Sequence, residues 1–367
     1  MRVLIAGGGT AGHVFPALAV AERLAARGHE ICFAGTAEGQ EARLVPAAGF
    51  RFEEIEARPL ERRMSMRALT APVAAVRSVA RVSPLAKWAD VVVGMGGYVS
   101  VPVALAALRS RRPLVLHEQN AVPGLANRTL ARSARTVALA FREARRAFPR
   151  RTRAMVTGNP VRREILAVPR DRERLIDEAR RELDLAQDRR TVVVFGGSQG
   201  ALHLNLAVVD ALERLDGEGL QVLLLTGPAH SEAVRAALPA AEEIRVRVHG
   251  FLERMELAYA VADVVVARSG ATTVAELAIC GIPSILVPYP YATGRHQEAN
   301  ARALQRAGGA SMLLDDELDG RVLAERVSWL LDDHERLGRF AERARAWSRP
   351  DAADALADVV LQAGGVA

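Results

Sequence analysis

At 367 residues the chain is long enough for two domains, and a hydrophobic content of 50% supplies two full cores. The longest apolar runs, such as 91–95 and 285–288, have strand length and exclude a membrane-crossing helix; the first residues read as a strand, not as a signal peptide. The net charge of +6 is uneven: 58–88 holds seven basic residues against Glu61 and 128–153 nine arginines against Glu143, so the first half calls for an anionic partner, whether nucleic acid, membrane or substrate.

In chain order, a strand at 2–6 runs into the glycine loop 7–12 and then into a helix with apolar residues at Val14, Ala17, Leu18, Ala21, Leu24 and Ala25. Further strands are expected at 30–35, 51–55, 90–94, 113–117, 135–139 and 153–156. Prolines and charge at 157–175 mark a domain boundary. A second series of strands follows at 190–195, 220–225, 245–248, 263–266, 284–287 and 310–313. Helical periodicity fills the gaps. The last helix, about 350–365, follows a break at Ser348-Arg349-Pro350 and can cross back to the first domain. Alternating strand and helix predicts doubly wound domains with parallel sheets. Two strand–glycine loop–helix starts, at 7–12 and 196–201, predict two of them. Cys32 and Cys280 sit in apolar contexts and read as free buried thiols of a reducing compartment, so a cytosolic chain is expected.

Gly7-x-Gly9-x-x-Gly12 fits the dinucleotide fingerprint in form, and its glycines let backbone N–H groups approach a phosphate at a helix N-terminus. That fingerprint also needs an acidic residue closing the second strand. Here the strand ends in Gly35, and Glu38 comes late. A dehydrogenase is disfavoured. His13, in the first turn of the helix, is disfavoured as a cation by the helix dipole; it suits either a general base or a hydrogen bond that caps the loop.

Gly196-Gly197-Ser198-Gln199-Gly200-Ala201 also joins a strand to a helix, with the Ser198 hydroxyl as an added donor and no lysine of an ATP-type loop. The strand 263–266 leads through Arg268-Ser269-Gly270 into a helix start of small and hydroxyl residues, a second anion site. Glu276, an early turn later, can accept both hydroxyls of a ribose; the alternative is an acid that offsets the helix dipole.

Gly8-Gly9-Thr10-Ala11-Gly12-His13, Gly96-Gly97-Tyr98, His117-Glu118-Gln119-Asn120, Gly158-Asn159-Pro160-Val161-Arg162, the 196–201 loop, Arg268-Ser269-Gly270-Ala271 and His296-Gln297-Glu298-Ala299-Asn300, in this order, resemble the MurG family of peptidoglycan N-acetylglucosaminyltransferases over nearly the whole chain. The resemblance implies an α/β GT-B fold, two Rossmann-like doubly wound domains with parallel sheets facing across a cleft. Residues 1–162 would form the acceptor and membrane-facing domain, joined by the C-terminal helix 348–367, and 163–347 the donor domain. It implies inverting transfer of N-acetylglucosamine from UDP-GlcNAc to the 4-hydroxyl of the muramoyl sugar of undecaprenyl-linked lipid I, forming lipid II. Each substrate carries a diphosphate, which accounts for two loops of one design. Loop 7–12 would hold the lipid I diphosphate, and the family's donor contacts fall here on Thr10, Ala11 and Gly12 of the first loop, on Asn127 and Arg162, and on Ser198. They fall also on Leu252, whose backbone would read uracil, on the helix start Ala271, Thr272, Thr273, Val274, Ala275 and Glu276, and on Gln297 and Asn300 for sugar hydroxyls. The alternative for the last two is ordinary helix-surface polarity. His13 falls on the candidate base, and Glu118 stands near the acceptor. One departure is Ala11, where the family has glycine; the added methyl is tolerable at negative φ.

Segment 62–88 mixes Met64, Met66 and Leu69 with Arg67, Arg77 and Arg81 at helical spacing, which suits either an anionic membrane surface or a helix packed on its own domain. A lipid-linked acceptor favours the first, at the cytoplasmic face of the plasma (inner) membrane. Only Phe141 and Phe148 lie among the arginines of 128–153, too few for base stacking, so no nucleic acid is expected. No His/Cys cluster has metal-ligand spacing. No tightly bound cofactor is implied, and a divalent cation held loosely on the diphosphate stays open. Within the same fold, a UDP-GlcNAc 2-epimerase or another lipid glycosyltransferase is the competing enzyme, and a non-enzymatic membrane scaffold the competing non-enzyme.

Overall fold

The computed structural model describes residues 1–57, 78–197, 200–239 and 243–366. The apolar runs become thirteen strands in two all-parallel sheets, β1 Arg2–Ala6, β2 Glu30–Gly35, β3 Arg51–Glu54, β4 Val91–Gly94, β5 Leu114–Glu118, β6 Thr136–Leu139 and β7 Ala154–Val156 in the first, and β8 Arg190–Phe195, β9 Leu220–Leu225, β10 Arg245–His249, β11 Val264–Ala267, β12 Ser284–Leu286 and β13 Ala310–Met312 in the second. Strand order is β3-β2-β1-β4-β5-β6-β7 and β10-β9-β8-β11-β12-β13. The expected α/β class with two doubly wound parallel sheets is what the chain adopts.

Two units account for the chain: Met1–Arg162 with Arg349–Ala367, and Arg163–Ser348. In the first, β1 alternates across its sheet. Val3 and Ile5 face helices α1 (Ala11–Ala26) and α14 (Ala352–Ala363), with Val14, Ala17, Leu356 and Val360 in one buried cluster. Leu4 and Ala6 face the other layer, where Val82, Ala86, Val103 and Ala107 come from α3 (residues 78–88) and α4 (Ser100–Arg109). In the second unit, Val192 and Val194 pack with Leu204 and Val208 of α7 (Leu202–Leu212) and with Leu323 and Val327 of α12 (Gly320–Leu331). Helices α6 (Arg163–Glu182), α9 (Met255–Val261) and α10 (Ala271–Cys280) contact one another.

Both strand orders reverse direction next to a central strand, between β1 and β4 and between β8 and β11. In open parallel sheets, the loops at the carboxyl ends of strands beside such a reversal diverge and leave a crevice. The loops that follow these four strands are 7–10, 95–99, 196–201 and 268–270. All four carry motifs singled out from the sequence.

Of the basic amphipathic segment, Met64, Met66, Arg67, Leu69 and Arg77 lie outside the described residues. Its described part packs one face on the domain core. Val82 and Ala86 are fully buried, and Trp88 is flanked by the Arg2 and Arg51 guanidinium groups at 5.8 and 5.6 Å. Arg81 is exposed and pairs with Glu56. Among the described residues no helix is long and apolar enough to cross a membrane. Both cysteines are free and buried, and burial pushes the Cys32 thiol up to about 11 and raises that of Cys280.

Candidate active site

In the first unit, loop 7–10 leaves β1 and delivers Thr10 in extended conformation as the residue before α1. Gly9 holds φ +86°. Ala11 opens α1. His13 lies in the first turn. Its Nδ1 is 3.0 Å from the Thr10 hydroxyl, and its ring lies against Gly96, where a Cβ would meet Cδ2 at 3.0 Å and Nε2 at 3.2 Å. The loop-capping hydrogen bond is therefore present. It is also compatible with base chemistry: if Nδ1–H donates to the Thr10 oxygen, Nε2 carries the lone pair.

At the end of β5, His117 and Glu118 are buried. His117 Nε2 donates to the Gly158 carbonyl at 3.1 Å. Burial outweighs the bond to the Gly158 carbonyl and pushes the pKa of His117 down to about 4, so the ring is neutral near pH 7. Glu118 accepts from the Asn120 and Gly124 amides at 2.9 and 3.1 Å and from Asn127 Nδ2 at 2.9 Å. Burial still raises its pKa above the ordinary carboxylate value, because it outweighs these bonds. Glu118 thus anchors loop 119–124. Asn127, on α5 (Leu125–Leu130), also donates to the His117 carbonyl at 3.1 Å, while its buried Oδ1 has no partner among the described residues. Arg162 stacks over the Phe15 ring of α1 at 4.1 Å.

Sequence reasoning missed Glu41. It opens α2 (Glu41–Ala47), six residues past β2, and is 1% exposed. Its carboxylate turns back to the first loop and accepts the Gly9 N–H at 2.9 Å and the Thr36 N–H and hydroxyl at 3.0 Å.

In the second unit, Gly196, Gly197 and Gly200 lead from β8 to α7; Ser198 and Gln199 lie outside the described residues. Gly200 has φ +75°, and a Cβ there would stand 2.2 Å from the Thr226 carbonyl oxygen. Ala271 to Glu276 form the first turns of α10 behind Gly270. Glu276 is buried and accepts the Tyr259 hydroxyl at 2.8 Å. Tyr259 sits on α9, almost fully buried and edge-on to Phe195 at 6.1 Å. No spacing in the sequence links it to Glu276; the only signal is that a buried phenol requires an acceptor.

On α11 (His296–Arg306), Asn300 is fully buried and donates to the Ser269 carbonyl at 3.2 Å, while Gln297 Oε1 accepts the Tyr289 N–H at 2.9 Å. The Ser269 hydroxyl donates to the Gln297 carbonyl at 2.8 Å. Simple helix-surface polarity does not describe this pair. Arg268 joins the same loop through Asp315 at 2.5 Å and the Pro288 carbonyl at 3.0 Å. Leu252 lies in the turn between β10 and α9. All these positions gather at the carboxyl ends of the second sheet. A cavity of about 270 Å³ lined by Arg172, Arg190, Thr191 and Asp263 lies at the opposite, amino ends of β8 and β11, away from every motif. Among the described residues no three of His, Cys, Asp and Glu converge as a metal set would require.

Residues 3–139 match the glycosyltransferase family 28 N-terminal domain and 191–356 its C-terminal domain. A UDP-N-acetylglucosamine–N-acetylmuramyl-(pentapeptide) pyrophosphoryl-undecaprenol N-acetylglucosamine transferase of Halothermothrix orenii is 40% identical over 98% of both chains. Its counterpart in Acidithiobacillus ferrooxidans is 44% identical over 99% of this chain and 98% of its own. The crystal structure of Acinetobacter baumannii MurG superposes with a TM-score of 0.78 at 31% identity, over 98% of this chain and 99% of that one. The chain belongs to glycosyltransferase family 28 and, within it, to the N-acetylmuramyl-(pentapeptide) pyrophosphoryl-undecaprenol N-acetylglucosamine transferases.

Proposed function

We propose that the protein transfers N-acetylglucosamine from UDP-GlcNAc to the 4-hydroxyl of the muramoyl sugar of undecaprenyl-linked lipid I, with inversion, to give lipid II and UDP. The observation that carries this reading is identity of 40–44% to such transferases over nearly the full chain. The two glycine loops, each at the reversal point of its own sheet, support it. In this reading the first unit takes the acceptor's diphosphate at loop 7–12, with Thr10, Ala11 and Gly12 also reaching the donor. The second unit takes the donor at loop 196–200, at the start of α10, and at Leu252, Gln297 and Asn300.

The acceptor oxygen bonds to the anomeric carbon as the bond from that carbon to the UDP oxygen breaks. Its proton passes to His13 Nε2, held in the right tautomer by Thr10. The charge left on UDP is met by backbone N–H groups and the amino end of α10, fixed before reaction begins. Glu276, steadied by Tyr259, is placed to accept ribose hydroxyls. With its lipid in the membrane, the acceptor requires the enzyme to work as a peripheral protein at the cytoplasmic face. Met64, Met66 and Leu69 with Arg67, Arg77 and Arg81 are the proposed contact, each basic residue adding about 1 kcal/mol at an anionic surface. Liposome flotation that persists after Met64, Met66 and Leu69 are changed to Ser rules that patch out.

The deciding experiment supplies UDP-GlcNAc labelled in the sugar, with and without a lipid I analogue, and separates products by mass. Label on the analogue, with UDP released only in its presence, is expected. Conversion of the donor without acceptor overturns the reading in favour of an epimerase. In the same assay His13→Ala lowers kcat by about 10²–10⁴-fold if the imidazole is the base.

A further inference from the structure

A buried carboxylate is costly unless its oxygens are bonded, and an apolar side chain of similar size fills such a space more cheaply. Glu41 nevertheless sits at 1% exposure, bonded among the described residues to neutral donors, the Gly9 and Thr36 amides and the Thr36 hydroxyl. Two loops have been emptied of side chains to admit it. A Cβ at Gly8 would stand 2.2 Å from its Oε1, one at Gly39 2.1 Å from its Oε2, and one at Gly35 2.4 Å from its Cγ. Gly9 is held on its other side by Tyr98, whose Cε1 lies 3.0 Å from where a Cβ would be.

What the carboxylate supplies, and a hydrocarbon would not, is direction. It draws the Gly9 N–H inward and thereby fixes the peptide at φ +86° from which the chain turns into Thr10 and α1. We propose that Glu41 is a positioning residue of the acceptor site, one that locks the first glycine loop so that the amino end of α1 faces the acceptor's diphosphate. This rests on the reading that loop 7–12 holds that diphosphate. Glu41 touches no substrate. Its effect reaches the ligand through the loop at Gly9, so it bears first on the acceptor's diphosphate.

Steady-state kinetics on the full chain test this, with Glu41→Gln and Thr36→Val measured against both UDP-GlcNAc and a lipid I analogue, alongside thermal melts. Glutamine keeps the shape and loses one acceptor oxygen; valine at 36 removes only the hydroxyl bond. The expected result for Glu41→Gln is a rise of about tenfold in the acceptor KM with the donor KM within about twofold, and a smaller rise of the same kind for Thr36→Val. A merely structural role lowers the folded fraction and hence kcat, and leaves the acceptor KM of the folded enzyme unchanged; that result overturns the proposal, as does an equal rise in both KM values. If the glutamine variant does not fold, the Thr36→Val split decides by the same criterion. Wild-type protein that transfers nothing to the analogue overturns the acceptor reading itself, whereas normal transfer with an unmoved acceptor KM overturns only the role of Glu41.

Discussion

His117 carries its consequence in its burial. Its ring is held neutral, with a pKa of about 4 against an ordinary 6.5. Between those values the unfolded chain binds a proton that the folded chain refuses, so stability falls as pH drops from 6.5 towards 4 and is fully present above 6.5. The full contribution is about 3 kcal/mol. Urea denaturation of the wild type and of His117→Gln, which can still donate to Gly158, should show a steeper loss in the wild type across that window; parallel curves would mean the ring already charges in the fold. Tyr259→Phe removes the hydroxyl that Glu276 accepts and should raise the UDP-GlcNAc KM about tenfold, leaving the acceptor KM unchanged, since a lost buried hydrogen bond costs about 1–1.5 kcal/mol and 1.4 kcal/mol is about tenfold. The sequence exposes His13, because a histidine in a glycine loop is conspicuous. It does not expose Glu41 or Tyr259, because their partners come from other loops and helices and have no fixed spacing.

Among elements, the strands are the most legible, because a strand covered on both faces is a continuous apolar run. Thus 190–195 and 220–225 coincide with β8 and β9, and 113–117 differs from β5 by one residue. The loops are legible for a different reason: only glycine fits where backbone approaches backbone. Gly200 shows the point. Its φ of +75° and the 2.2 Å that would separate an added Cβ from the Thr226 oxygen leave alanine no room without moving β9's exit. Gly200→Ala should destabilise the second unit by about 2 kcal/mol or more and weaken UDP-GlcNAc binding, read by melting and by titration. The amphipathic stretch 62–88 is less legible. Its apolar period serves a core helix as well as a membrane surface, and Val82 and Ala86 are core. Periodicity alone does not separate the two uses, since both need one apolar face.

At the scale of the molecule, the C-terminal helix is the decisive segment. The chain leaves the first unit at Arg162, builds the second, and returns at Arg349 so that α14 can cover β1, β4 and α1. Leu356 is fully buried among Val3, Ile5 and Val14. Leu356→Ala should therefore cost about 2–5 kcal/mol, although in the sequence the whole second unit stands between it and its partners. The loss belongs to one unit only. Amide exchange should quicken across 2–6 and 91–94, where the cluster resides, and hold steady across 190–195 and 264–267, whose packing lies in another core. UDP provides the converse. A ligand of the second unit at about a hundredfold excess over its Kd adds about 2.7 kcal/mol to the state that binds it. That protection should appear at 190–195 and 264–267 in wild type and Leu356→Ala alike, without restoring the first unit's strands. Slowing of exchange in both units by UDP alone would show that the two cores open as one, and would replace the picture of separate cores with a single cooperative one.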